Sequence, residues 1–282
     1  MPLPIAHPAA VLPLRRFCPK HLSFSALIAG SVAPDFGYAA ADLNSYVDTV
    51  KFIFGDLAAN FESIKADWEW DDLTHDFLGS IFFCIPVGLL VLGLFNALRG
   101  SLIETLPNPH RDALRPLCGR KHTVLATALS LFIGIWLHIG WDSLTNKGRW
   151  LSHHLPSLHF HLFNIGTTNV EIFRVMWMIS SIGGTVALAV AYLGFLNRAK
   201  TNPQTPYQDD RKRFVLWGMA VFLPTLVAGV ITLFQEGFGL SLAGIYHFLH
   251  RFVANYLICF VAGVAFLSFV AKRRLLAVQD SA

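Results

Sequence analysis

Long apolar runs separated by short polar connections set the pattern of this chain. Four windows, residues 77–98, 124–144, 172–196 and 214–234, each carry roughly the 20 predominantly apolar residues that a helix needs to cross a hydrocarbon core. A fifth window, residues 252–271, has the same character. The stretch Leu22 to Ala40 (LSFSALIAGSVAPDFGYAA) is poorer in bulky residues and is interrupted by Pro34 and Asp35. Within residues 1–40, two short apolar pieces, Pro8 to Phe17 and Leu22 to Ala33, are joined by the basic turn CPKH. As helices they would each reach roughly 15 to 18 Å, about half the hydrocarbon thickness. A hairpin that dips in and returns would bring His7 beside Asp35; a sixth span and a cytoplasmic N-terminal arm are the alternatives. The expected fold is all-α: a polytopic transmembrane helical bundle of five to six membrane helices forming one integral-membrane domain, residues 1–282.

Composition agrees with the pattern. Of the 282 residues, 54% are hydrophobic and 14% charged, and the mean hydropathy is +0.50. Soluble domains carry about a quarter charged residues. Charge then orients the helices, because Lys and Arg are retained on the cytoplasmic side. Arg99, Arg111, Arg115, Arg120 and Lys121 share one connection, and Arg198, Lys200, Arg211, Lys212 and Arg213 another. Both are expected in the cytoplasm. Under strict alternation Arg15, Arg16 and Lys20, and the C-terminal Lys272, Arg273 and Arg274, fall on the same side. The location this implies is a multi-pass protein of the inner membrane with its C-terminus cytoplasmic. The connection 41–74 is acidic and external, and its segment VKFIFGDLAANFESIKADWEW is amphipathic enough for one or two surface helices.

The N-terminus does not read as a cleavable signal peptide, since its basic residues follow the apolar part and prolines break it. KTNPQTPYQDD, residues 200–210, reads as a cytoplasmic loop. The four cysteines, Cys18, Cys84, Cys118 and Cys259, lack CxxC spacing, which argues against disulfides and thiolate metal sites. Gly88, Gly93, Gly183, Gly184 and Gly263 read as close-packing positions between membrane helices. Basic loops serve topology first, and no nucleic-acid partner is expected; the partner is the lipid bilayer.

Candidate chemistry resides in histidine and aspartate. His138 and Asp142 stand four residues apart inside VLATALSLFIGIWLHIGWDSL, on one face of a helix, where a carboxylate and an imidazole need a partner, water or a metal. With the charge-derived topology, eight of the twelve histidines (His75, His138, His153, His154, His159, His161, His247 and His250) fall at or beyond the outer helix ends. Asp35 ends the first apolar segment, His75 precedes the next, and His138 with Asp142 closes a third, so these four are expected at one membrane level. Imidazole with carboxylate is the ligand set of zinc and similar divalent ions. Each residue also has an ordinary role open to it. Asp35 after Pro34 suits a turn or helix cap, His75 suits a cap, and His138 with Asp142 suits a buried hydrogen bond.

The blocks PLPIAHPAAVLPLRR, LSFSALIAGSVAPDFGY, THDFLGSIFFCIPVGLL and IGIWLHIGWDSLTNKG, in this order over nearly the whole chain, closely resemble the bacterial membrane family catalogued as domain of unknown function 4184. That family is similar to the LexA-regulated, membrane-bound metal-dependent hydrolases, which share an early His, a Pro-Asp, a His before an apolar helix and a later His-x-x-x-Asp. The same order resembles zinc-dependent phospholipase C and its nuclease relatives, helical enzymes with clustered zinc ions. The resemblance implies His7, Asp35, His75, His138 and Asp142 as metal ligands, with Asp142 bridging two ions in some arrangements, and one to three ions in all. It implies Thr145, and beside His75 also Asp76, as supports behind the ligands. Related families often continue Asp-x-x-Thr with His or Pro, whereas Asn146 follows here. His153 and His154, in HHLPSLHFH, and His247 and His250, in GIYHFLHRF, are further ligand candidates, with interfacial roles as the alternative. The expected activity is metal-dependent hydrolysis at the outer interface, on phosphodiester or phospholipid-like substrates. An ion- or proton-coupled transporter and a non-catalytic protein with a structural metal are the rival classes.

Overall fold

A computed structural model describes residues 4–18, 20–37, 74–119, 122–165, 168–199, 210–236 and 242–279. The chain is mostly helical over these residues. The acidic connection expected over 41–74 and the loop expected over 200–210 lie almost wholly outside them. A 3-10 segment, Pro4–Phe17, is followed by α1, Phe24–Val32. Next come α2 (Phe77–Thr105), α3 (His110–Leu114), α4 (Val124–Thr145) and α5 (Trp150–His154). A hairpin of β1 (His161–Ile165) and β2 (Thr168–Glu171) leads into α6 (Ile172–Arg198), α7 (Asp210–Glu236) and α8 (Leu242–Gln279).

Four helical stretches, Phe77–Thr105, Val124–Thr145, Ile172–Arg198 and Arg211–Gln235, are long and apolar enough to cross a membrane. Their outward faces are apolar as well: Phe82 is 76% and Leu90 72% exposed, which water would not tolerate over so many positions. The window 252–271 lies inside α8, a 38-residue helix. The short antiparallel hairpin, with Asn164 opposite Asn169, is the departure from an all-helical expectation. The two residues 166–167 separate strands too short to announce themselves by alternation.

The described residues within 1–41, 68–94 and 121–198 form one compact unit, and those within 42–67, 95–120 and 199–282 a second. In the first, α1 lies beside α4 and runs in the same direction, since Ser23 N–H donates to Ser130 Oγ (2.8 Å) and His138 Nδ1 meets the Ser31 carbonyl oxygen (2.7 Å). Two glycines allow the approach. A Cβ on Gly30 would collide with the Leu131 carbonyl oxygen, and one on Gly134 with that of Leu27. Ala26, Ala29, Leu92 and Leu131 fill one buried cluster, and Val11, Leu22 and Leu27 another. The 3-10 segment packs on α6 at Gly184, where a Cβ would press on Ala6. Gly88 touches Leu131, whereas Gly93, Gly183 and Gly263 have no neighbour within 4 Å of a Cβ position among the described residues. Helix α2 opens with a π-helical turn, Ser80–Cys84, just before Pro86. Proline supplies no N–H and crowds the preceding turn, and widening that turn relieves both.

In the second unit α7 and α8 pair through neutral polar groups. Asn255 Nδ2 donates to Thr232 Oγ1 (2.9 Å) and Gln235 Oε1 (3.0 Å); separately, α7 meets the last residue of α2, where Trp217 Nε1 donates to the Thr105 carbonyl oxygen (3.1 Å).

Candidate metal centre

Four segments of the first unit deliver their functional side chains to one buried point. The 3-10 segment brings His7 and the turn after α1 brings Asp35. His75 stands two residues ahead of α2, and the last turns of α4 carry His138 and Asp142. His7 Nε2 lies 3.5 Å from Asp142 Oδ1, and His75 Nε2 lies 3.3 Å from Asp142 Oδ2. His138 Nε2 lies 3.7 Å from Asp142 Oδ2 and 3.8 Å from Asp35 Oδ1. The His7 and His138 rings stack with centroids 3.8 Å apart, and the His75 ring tilts toward His138 at 5.4 Å. The side chains of His7, His138 and Asp142 are fully buried and that of His75 nearly so; Asp35 retains 9% exposure.

These separations are longer than good N–H···O hydrogen bonds, which have a heavy-atom distance of about 2.9 Å. They match donors that share an ion: with bonds of about 2.0 to 2.1 Å in tetrahedral geometry, neighbouring ligand atoms stand roughly 3.4 Å apart. Ligand atoms of His7, His138 and Asp142 all lie within 4.8 Å of one another, so this trio could hold a metal ion. His138 Nε2 and both Asp142 carboxylate oxygens are buried without a hydrogen-bond partner. Buried polar atoms left in that state cost free energy unless something else satisfies them, so the residues present fit a bound cation.

Imidazole tautomers follow from what stands behind the ligands. The Ser31 carbonyl can only accept, so His138 Nδ1 carries the proton and Nε2 presents its lone pair to the cluster. His75 Nδ1 lies 3.1 Å from Thr74 Oγ1, and the Thr74 carbonyl accepts a bond from Cys84 Sγ–H (3.3 Å). The sequence did not single out Ser31 or Thr74. Ser31 acts through its backbone, which no residue type encodes. Thr74 adjoins a suspected ligand, and that adjacency was the only signal.

Thr145 is buried in the last turn of α4 and donates to the Trp141 carbonyl (3.2 Å). Asp76 is exposed and makes no side-chain capping bond to α2. His153 and His154 are exposed on α5, with His154 Nδ1 2.8 Å from the Trp150 carbonyl oxygen. The side chains of His247 and His250 lie outside the described residues, although the backbone there is helical.

A family model for a domain of unknown function, DUF4184, matches residues 1–272. The chain belongs to the DUF4184 family. The match embraces every segment that builds the buried cluster, so in this member of DUF4184 the metal-competent group is part of the family domain itself. No curated protein and no solved structure matches the chain.

Proposed function

We propose that this DUF4184 protein is a membrane-bound, metal-dependent hydrolase. It would work at the outer interface of the inner membrane on phosphodiester or phospholipid-like substrates. The observation that carries this reading is the buried meeting of three imidazoles and two carboxylates, with the Nε2 atoms of His7, His75 and His138 turned on the two Asp142 oxygens at ion-sharing distances. His7, Asp35, His75, His138 and Asp142 would hold one to three divalent ions, zinc first among them. A bound ion would supply Lewis acidity, polarising the ester and easing the deprotonation of water. Asp35 is the member nearest to solvent, and its carboxylate is suited to take the proton of an attacking water as the water oxygen bonds to phosphorus and the ester oxygen leaves. Ser31 fixes His138 as a neutral donor throughout.

The same reading has five to six spans. Arg111, Lys212 and the C-terminus are cytoplasmic, and His75 and Trp150 external, following the distribution of Lys and Arg. A structural ion is the second reading, favoured by the near-complete burial of the cluster, since a closed shell has no open ligand position. Metal content, detergent-solubilised melting and hydrolysis of bis(p-nitrophenyl) phosphate, compared between wild type and Asp142→Ala, separate the two. Joint loss of metal and turnover with retained folding supports the hydrolase. Loss of metal together with folded yield supports the structural ion, and unchanged metal content defeats both.

A further inference from the structure

We propose that the end of the first unit opposite the metal centre binds anionic phospholipid headgroups, through the exposed guanidinium groups of Arg15 and Arg198. Arg15 places its guanidinium carbon 5.6 Å from the Phe195 ring centroid. Arg198 folds back along the same turn of α6, its Nη2 lying 3.7 Å from where a Cβ on Gly194 would stand. The two cations thus lie on adjacent residues of one turn of α6, with Arg16 and Lys20 exposed on the N-terminal segment that carries Arg15. Neither arginine has an ion-pair partner among the described residues.

The imbalance extends over the described residues of the unit. Its described acidic residues are Asp35, Asp76, Asp142 and Glu171. The first three sit in or beside the metal cluster, and Glu171 pairs with Lys147, just beyond the end of α4. Among the described residues of the unit the arginine end thus has no counter-charge. It also has an aromatic floor, Phe195 with Tyr192 stacked on it at 6.3 Å, and Arg16 lies 4.9 Å from the Phe17 ring centroid. Arginine over aromatics at the end of a membrane helix is suited to a phosphate held at the interface, with acyl chains running along the apolar helix face. Without an anion, repulsion between Arg15 and Arg198 pushes the 3-10 segment away from α6; with one, the segment that carries His7 is clamped. This inference rests on the charge distribution and stands independently of the proposed hydrolase activity.

The test uses the full chain in nanodiscs of phosphatidylcholine, with phosphatidylglycerol replacing part of it, and reads the thermal midpoint. Wild type should gain about 4 °C from the anionic lipid, given roughly one favourable contact per arginine, and should lose the gain in high salt. Arg15→Gln with Arg198→Gln should lose most of the gain, yet melt no lower than wild type in pure phosphatidylcholine, because the repulsion is gone too. The charge-retaining Arg15→Lys with Arg198→Lys, and Arg174→Gln at the opposite end of α6, should keep most of the gain. A full gain in the double glutamine variant would overturn the proposal. An equal gain from inorganic phosphate in neutral discs would reassign the site to a soluble anion, and so would overturn the lipid as occupant. Should the double variant fail to fold, Arg15→Gln alone is read against the same expectations.

Discussion

Two histidine-rich regions of one folded unit behave in opposite ways. In the buried region, His7, His75 and His138 turn ring nitrogens toward Asp142 and Asp35 at 3.3 to 3.8 Å, too far for good hydrogen bonds. In the surface region after α4, histidines are engaged by ordinary acceptors. His159 meets Glu171 Oε2 (3.2 Å) and the Ser152 carbonyl (3.0 Å), His154 meets the Trp150 carbonyl, and His161 meets Asn164 Oδ1 (2.7 Å). Histidine density is alike in the two; the bonding demand left over is different. Imidazoles whose nitrogens already serve as hydrogen-bonding groups pin a loop, whereas a lone pair and two carboxylate oxygens without protein donors call for a cation.

The sharpest way to break this comparison is at Asp142, which touches three imidazoles. Asp142→Ala and His138→Ala are expected to reduce bound zinc or other divalent metal to background by elemental analysis, with the apolar helices still inserted. A mutant that retains its metal would remove the distinction between the two regions.

Next in size is the scaffold. Gly134→Ala sets a Cβ against the Leu27 carbonyl oxygen and should cost about 3 kcal/mol, read as a fall in melting temperature, with weakened metal binding as His138 loses Ser31. Thr74→Val should weaken metal affinity roughly tenfold while Thr74→Ser restores it, measured by competition with a chromophoric chelator.

Smaller effects belong to the surface region. Burial by itself would raise the Glu171 carboxyl, but hydrogen bonds from His159 and Lys147 outweigh it and hold the group below its ordinary range. A depressed carboxyl stabilises the fold above its ordinary value and loses that contribution as pH falls through the folded value. Glu171→Gln should therefore lower the melting temperature by about 1 to 2 °C near neutrality, with the gap closing below about pH 4. Smallest of all, His153→Ala with His154→Ala should leave metal content unchanged, and any loss would bring the surface histidines into the site.

Much of this was legible in the chain because it depends on spacing and composition. Apolar run length reveals helices long enough for a membrane, and the i, i+4 relation places His138 and Asp142 on one face whatever surrounds them. Asp35 and His75 were legible as neighbours by depth, since both flank apolar segments at the same end. Gly30 and Gly134, where α1 and α4 approach most closely, were not singled out in the sequence, while Gly93, Gly183 and Gly263, which were, show no such neighbour among the described residues.

What the sequence by itself determined is a set of periodic apolar helices carrying a few ionisable groups at their ends, because burial in lipid selects on length and polarity alone. Only the tertiary structure decided which helices pair and in which register. It set α1 parallel to α4, so that a backbone carbonyl at Ser31 selects the His138 tautomer, and it folded the proline-rich N-terminus so that His7 joins residues more than a hundred positions away. Those outcomes depend on how closely two backbones can approach and on atoms common to every residue, neither of which a pattern of side chains records.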